Sequence, residues 1–147
     1  MSGLSDIEPI FVGGFPIAVY GAMFGGTIAG QFVGMTIDAA VLGRHLVWMP
    51  VACSVLFEAI VGERFGASRL GRALTLSDRG RLSGYYSVCL GALTIPLLVW
   101  TAASRKPDAP FGGHDPLVAV ALCIAALAAL TVLRVGLMPI FAARASR

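Results

Sequence analysis

The chain has 147 residues, of which 57% are hydrophobic and 13% are charged, and its formal net charge is +3. Soluble domains have about 25% charged residues, so this composition excludes a water-soluble globular protein. The basic residues stand beside apolar stretches rather than being spread over a folded face, which argues against nucleic acid as a partner.

Four apolar stretches of membrane-spanning length follow one another along the chain. They predict spans at about residues 10–36, 46–62, 82–104 and 116–141, and a helix needs roughly 17 to 25 residues to cross a bilayer. Strand alternation is absent, and only helices or closed barrels satisfy their backbone groups in lipid. The sequence therefore predicts one all-α domain over residues 1–147. This domain is an integral membrane four-helix bundle whose partner is the lipid bilayer.

The first predicted span carries a small residue at every fourth position, a GxxxG-type pattern. The series consists of Gly14, Ala18, Ala22, Gly26, Gly30 and Gly34. Helices in lipid associate through van der Waals contact, and small residues at this spacing let two backbones approach closely. We therefore predict a helix-packing face. Its simplest use is a contact with the Ala-rich residues 119–129 of the fourth span, while its length also favours self-association or docking to another membrane protein.

The loop between the second and third spans, residues 63–81, is rich in arginine. Its basic residues are Arg64, Arg69, Arg72, Arg79 and Arg81. The opposite connections hold only Arg44, Arg105 and Lys106. Basic residues near span ends remain preferentially in the cytoplasm. We therefore expect a cytoplasmic loop and a topology with both termini inside (N-in/C-in). Residues 1–8 lack Lys and Arg, so the first span is expected to be retained rather than cleaved as a signal peptide.

The same loop contains signals for the end of one helix and the start of the next. Glycine suits the left-handed position just past a helix, so Gly71 is expected to end an extension of the second helix beyond the bilayer. Thr75 is followed three residues later by Asp78, which resembles a capping box at a helix start. The third helix is therefore expected to begin before the membrane.

Three short segments of this loop also resemble a known group of proteins. Residues 62–65 (GERF), 71–75 (GRALT) and 78–82 (DRGRL) are similar to the central loop of a family of small four-span bacterial inner-membrane proteins of uncharacterised function. That pattern has a Gly-Arg-x-Pro-Thr turn, where this chain has Leu74 at the proline position. The resemblance implies a multi-pass protein of the bacterial inner (plasma) membrane, and it implies no activity.

Two charged residues fall inside predicted spans. Glu58 lies four residues before Gly62, about 6 Å inside the cytoplasmic boundary at 1.5 Å per residue, and Arg134 falls at a similar depth in the fourth span. Charges inside a membrane are costly and are usually paired or functional. Three interpretations stay open: a buried Glu58–Arg134 ion pair, independent extension of each side chain to the surface, and a proton or substrate role.

No arrangement of residues indicates catalysis, a cofactor or a metal. Cys53, Cys89 and Cys123 occur one in each of three spans without a CxxC pair. His45 and His114 are far apart in the chain, with no metal-ligand spacing between them and no place inside a span for a haem. The serines lack a GxSxG setting. We therefore expect a protein that is not an enzyme and needs no cofactor.

Three classes of function are considered, and one of them, a membrane enzyme acting on lipid or quinone, is disfavoured because it would need a polar site that the sequence does not show. The packing face, short loops and lack of catalytic groups favour a non-enzymatic accessory or assembly subunit of a membrane complex or homo-oligomer. The alternative is a small proton- or ion-coupled transporter or channel that uses Glu58. The alternative draws on that carboxylate and on a proline in every predicted span, since prolines bend helices and open cavities.

Overall fold

The computed structural model describes residues 9–42, 48–103 and 115–142 of the chain. Within these ranges the fold consists of four α-helices: α1 (Ile17–Ile37), α2 (Trp48–Leu70), α3 (Leu76–Ala103) and α4 (Pro116–Leu137). A π-helical segment, Asp38–Leu42, continues α1, and a 3-10 turn, Met138–Phe141, continues α4. The chain forms two helical hairpins, because α1 packs mainly on α2 and α3 packs mainly on α4.

Three helices in the described ranges are long and apolar enough to cross a membrane. They are Ile17–Ala40, Leu76–Ala103 and Pro116–Phe141, each taken with its adjoining turns where present. The second helix, with 23 residues, is long enough but not apolar enough, because it carries Glu58, Glu63, Arg64 and Arg69 along its length. The all-helical prediction is therefore confirmed for this part of the chain, with four helices of which three are strongly apolar.

The chain enters α1 through a small β-hairpin, not through helix. Strands β1 (Phe11–Val12) and β2 (Phe15–Pro16) pair antiparallel around Gly13 and Gly14, whose φ angles are +59° and +89°. Two consecutive positive φ angles are incompatible with a right-handed helix and are readily adopted by glycine. The prediction that helix begins near residue 10 is therefore wrong by several residues.

Both signals in the α2–α3 turn are confirmed. Helix α2 runs on to Leu70, and Gly71 follows with φ +64°. Thr75 Oγ1 accepts a hydrogen bond from the Asp78 amide at 3.2 Å, and Asp78 Oδ2 accepts one from the Thr75 amide at 2.9 Å. This reciprocal pair satisfies amides at the start of α3 that have no helical acceptor. Arg72 Nη1 donates to the same Asp78 oxygen at 2.6 Å, and this bond raises the pKa of the Arg72 guanidinium.

The apolar core lies towards the end of the molecule that holds the α2–α3 turn. Its buried members come from β2, from each of α1, α2 and α3, from the α2–α3 turn and from the 3-10 turn, and include Phe15, Met23, Ala59, Leu82 and Met138. By contrast, only 6% of the most apolar part of α4 is buried. The two hairpins are thus joined mainly in this half of the molecule, which also holds most of the buried charged residues, whereas Asp38 is buried at the far end of α1.

Candidate functional site: a buried polar network

Glu58 and Arg134 meet in the interior, and they join α2 to α4. Their side chains are 2% and 1% exposed, and Arg134 Nε donates a hydrogen bond to Glu58 Oε2. Because the two charges neutralise each other, neither needs to reach solvent. The structure thus places in contact the two charged residues that the sequence located at similar depth.

Helices α1 and α3 supply the remaining partners of this pair. Thr27 Oγ1 donates to the other Glu58 oxygen at 2.6 Å, and the Thr27 hydroxyl is also hydrogen-bonded to the Tyr86 hydroxyl. Arg134 Nη1 donates to Ser87 Oγ at 2.8 Å, while Arg134 Cζ lies 5.1 Å from the centre of the Tyr86 ring. One side chain or more from every helix therefore converges on a single ion pair.

The network continues between α3 and α4 through a second set of hydroxyl groups. Ser87 Oγ is 2.6 Å from Thr131 Oγ1, and Thr131 Oγ1 donates to the Leu127 carbonyl at 2.8 Å. Ser83 Oγ donates to the Thr131 carbonyl at 3.3 Å. These bonds tie the polar interior to the contact surface of the second hairpin.

The chemistry of this arrangement is that of a satisfied ion pair. Both Glu58 carboxylate oxygens accept a hydrogen bond, and the Arg134 guanidinium donates to a carboxylate and a hydroxyl. Burying charges costs free energy unless they are paired and hydrogen-bonded, and removing one partner of such a pair leaves the other uncompensated. The network can therefore fix the relative position of the four helices.

A second ion pair, which the sequence did not indicate, joins α2 to α3. Arg79 Nε and Nη2 donate to Glu63 Oε2 and Oε1 at 2.8 and 2.7 Å, a two-pronged contact, and the Glu63 side chain is only 2% exposed. The partners are separated by the turn, so no helical i, i+4 spacing links them. Of the five loop arginines, Arg79 is thus engaged internally.

The other basic residues of the loop lie on the surface. Arg64, Arg69, Arg72 and Arg81 are exposed. Arg69 Cζ stacks 4.9 Å from the centre of the Phe65 ring. This end of the molecule therefore presents several cations around the α2–α3 turn.

Three glycines of the small-residue series lie against α2. A Cβ atom at Gly30 would stand 2.5 Å from Ser54 Cα, and one at Gly34 would stand 2.4 Å from Pro50 Cα. At Gly26 the nearest atom would be Phe57 O at 3.3 Å. The packing face is thus occupied by the neighbouring helix α2. The expectation that it receives residues 119–129 of the fourth span is wrong, because the α1–α2 hairpin already fills it.

The first half of the series has other surroundings. Gly14 lies in the β-hairpin, Ala18 is exposed, and Ala22 is half-buried. Gly14 is therefore no part of a helix face, since the helix begins only at Ile17.

Few residues of the described ranges are suited to holding a metal. No group of three or more His, Cys, Asp or Glu side chains lies close enough together there to bind one. Arg44, His45 and His114 fall outside the described residues. Cys53, Cys89 and Cys123 are free thiols.

No family model, curated protein or solved structure matches the chain. The resemblance of the central loop to small bacterial four-span proteins therefore remains a prediction.

Proposed function

We propose that the chain is an integral membrane protein of the bacterial inner membrane, with four spans and both termini in the cytoplasm. Three apolar helices support this proposal directly. The apolar part of α2 completes the fourth span, because the charge of Glu58 is neutralised by Arg134 and the remaining charges lie towards its end. The arginines around the α2–α3 turn favour the cytoplasm for that end.

The function that the geometry supports best is that of a non-enzymatic accessory or assembly subunit. The observation that carries this proposal is the outward face of α1. Gly21 and Gly25 are exposed, and a Cβ atom added at either would meet no neighbouring element within 4 Å. They lie on a different side of the helix from Gly26 and Gly30, which are buried. Small residues on a lipid-facing surface leave a shallow groove in which another helix packs closely. The partner is a second copy of the chain or a different membrane protein.

Cross-linking in native membranes tests this proposal. We expect cross-linked oligomers or partner adducts of the wild type to fall at least fivefold in the Gly21→Leu and Gly25→Leu variants, because leucine fills the groove. Gly136→Leu is the matched control, since Gly136 is also an exposed helical glycine with open space around it. Equal cross-linking in all variants would exclude this face as the docking surface.

A second function, proton- or ion-coupled transport, is supported by Glu58 itself. Its carboxylate is buried at the junction of all four helices and is bonded to Thr27 and Arg134. Ionisable groups inside membranes often belong to proton or ion pathways. In this function, protonation of Glu58 releases Arg134 and loosens the contact between the hairpins.

Flux in liposomes distinguishes this alternative. If Glu58 couples transport, purified protein carries protons or ions, and Glu58→Gln abolishes that flux at normal protein content. Thr94→Ala, which removes an exposed hydroxyl outside the network, serves as the control. No flux above protein-free liposomes, for the wild type itself, would eliminate the transport function and leave the accessory function standing.

A further inference from the structure

A cleft of about 620 Å³ lies between α3 and α4, on the outer surface of the second hairpin. Small residues on both helices open it, and Pro96 lies in its wall. The residues that give it its space are Gly84, Gly91, Ala92 and Ala128. Its volume falls within the range of about 300 to 1,000 Å³ that small-molecule sites occupy.

The cleft is apolar along its length and polar at one end. Val88, Ile95, Ile124 and Leu127 line its length, whereas Ser87 and Thr131 lie at its polar end. An occupant that matches this distribution has a long apolar body with one polar group at its tip.

The directions of the hydrogen bonds define that polar group. The Thr131 hydroxyl donates its only proton to the Leu127 carbonyl, so the Ser87 hydroxyl donates to Thr131 Oγ1. Arg134 Nη1 in turn donates to Ser87 Oγ. The donors run in one direction from Arg134 to Leu127, and every hydroxyl proton is used. A hydroxyl oxygen has two acceptor positions, so Thr131 Oγ1 retains one. The end of the cleft thus accepts a hydrogen bond and offers none.

The depth of the cleft's polar end in the membrane favours an uncharged ligand. With the membrane boundary near Leu82, Ser87 lies about 7 Å inside it at 1.5 Å per residue. A carboxylate or phosphate there would be costly to desolvate. It would also meet no free hydroxyl proton, and the Arg134 side chain is buried behind Ser87 at 1% exposure.

We propose that the α3–α4 cleft binds a neutral, membrane-dissolved long-chain alcohol, whose hydroxyl donates to Thr131 Oγ1 and whose chain lies along Gly91 and Ala92. This proposal requires the membrane location proposed above, and it is independent of the docking face on α1. Because Ser87 joins Thr131 to Arg134, an occupied cleft adds a further member to the polar network at Glu58.

Photo-cross-linking in membranes tests the site. The probe is hexadecanol with a diazirine in its chain, applied to membranes whose protein has resisted alkaline carbonate extraction. We expect adducts on cleft residues such as Ile95 and Leu127, displaced by unlabelled hexadecanol. The methyl ether of the same probe cannot donate a proton to Thr131 Oγ1. It should label about tenfold less, which is the upper range of what one net hydrogen bond contributes.

Two variants separate the cleft from ordinary lipid contact. Ala128→Leu fills the cleft without touching the polar network and should reduce labelling at least fivefold, whereas Ala126→Leu, an exposed alanine on the opposite side of α4, should leave it unchanged. Thr131→Val should abolish the preference for alcohol over ether.

Several results would overturn the proposal. One is equal labelling by the alcohol, by its methyl ether and by palmitic acid carrying the same diazirine. Another is an equal loss of labelling in Ala126→Leu and Ala128→Leu. A third is a set of adducts spread evenly along α4. A fourth is a cross-link that places a second copy of the chain in the cleft. Release of the protein by carbonate would instead contradict the membrane location, so the two failures are distinguishable.

Discussion

Glu58 and Arg134 are among the most deeply buried side chains of the described chain, although both are charged. Their burial is tolerated because each neutralises the other and because Thr27 and Ser87 satisfy further hydrogen-bonding positions. A pair of this kind is costly to break from one side, since the remaining charge stays in an apolar interior. The pair therefore specifies how α2 and α4 are placed against each other.

We predict that Glu58→Ala and Arg134→Ala each lower the free energy of unfolding by about 3 to 5 kcal/mol, the range measured when one partner of a buried pair is removed. The double variant should lose less than the sum of the two single losses, because it leaves no uncompensated charge. Unfolding in mixed micelles, followed by helicity and by folded yield, measures all three.

The control for that cycle is Thr36→Ala, an exposed hydroxyl at the far end of α1. Its effect on the free energy of unfolding should simply add to the effect of either single variant. If the effects of Glu58→Ala and Arg134→Ala were themselves additive, the ion pair would have no role in stability.

The sequence predicted the two charged residues of the buried polar network but not its neutral residues. Glu58 and Arg134 are conspicuous in the sequence because each is a charged residue in an apolar stretch. Counting residues from the span ends then places the two at a similar depth. Thr27, Tyr86 and Ser87 gave no such signal, since hydroxyl groups within membrane helices commonly bond to their own backbone. Similar depth of Thr27 and Glu58 was the available clue.

At the scale of elements, the close approach of α1 and α2 is the main feature of the first hairpin. Gly30 and Gly34 lie so near Ser54 and Pro50 that a side chain at either glycine would collide with backbone atoms. The approach brings the Thr27 carbonyl within reach of Ser54 Oγ, which donates to it at 3.1 Å. Small residues here replace side-chain packing with backbone contact, as is common where helices meet in lipid.

We predict that Gly30→Leu separates α1 from α2 and lowers folded yield severalfold, because its Cβ would stand 2.5 Å from Ser54 Cα. Gly25→Leu, on the outward face of the same helix, should fold as the wild type does. The fraction of monodisperse protein after detergent extraction, together with its resistance to protease, measures the difference. Normal folding of Gly30→Leu would contradict the close approach.

The sequence predicted that the glycines form a packing face, but it did not predict which helix packs there. A small-residue pattern encodes closeness and not the identity of the neighbour. The hairpin connection decides that identity, because α2 follows α1 after few residues and lies beside it. The predicted start of α1 was too early because residues 10–16 are apolar enough to belong to a span. Gly13 and Gly14 adopt positive φ angles, so the helix does not include them.

At the scale of the whole molecule, two hairpins are joined at one end by an apolar core and by two ion pairs. Arg134 binds Glu58 in the interior, and Arg79 binds Glu63 nearer the turn. Farther along, α4 packs one face on α3 and leaves its other face exposed, which in lipid is a favourable surrounding. The four-helix content followed from composition, because about 17 to 25 apolar residues specify a span. The pairing of hairpins did not, since it depends on contacts between residues distant in the chain.

The orientation of the whole molecule gives the last prediction. Arg64 and Arg69 near the end of α2 and Arg81 near the start of α3 are exposed beside the α2–α3 turn. Such residues stay preferentially in the cytoplasm. We therefore expect alkaline phosphatase fused after Gly113, in the connection between the last two helices, to be active, because the proposed topology puts that connection in the periplasm. Fusion after Gly71 should be inactive, and green fluorescent protein at the two sites should give the reverse pattern. Active phosphatase at Gly71 with inactive phosphatase at Gly113 would show the opposite orientation, and it would place these surface arginines outside the cell.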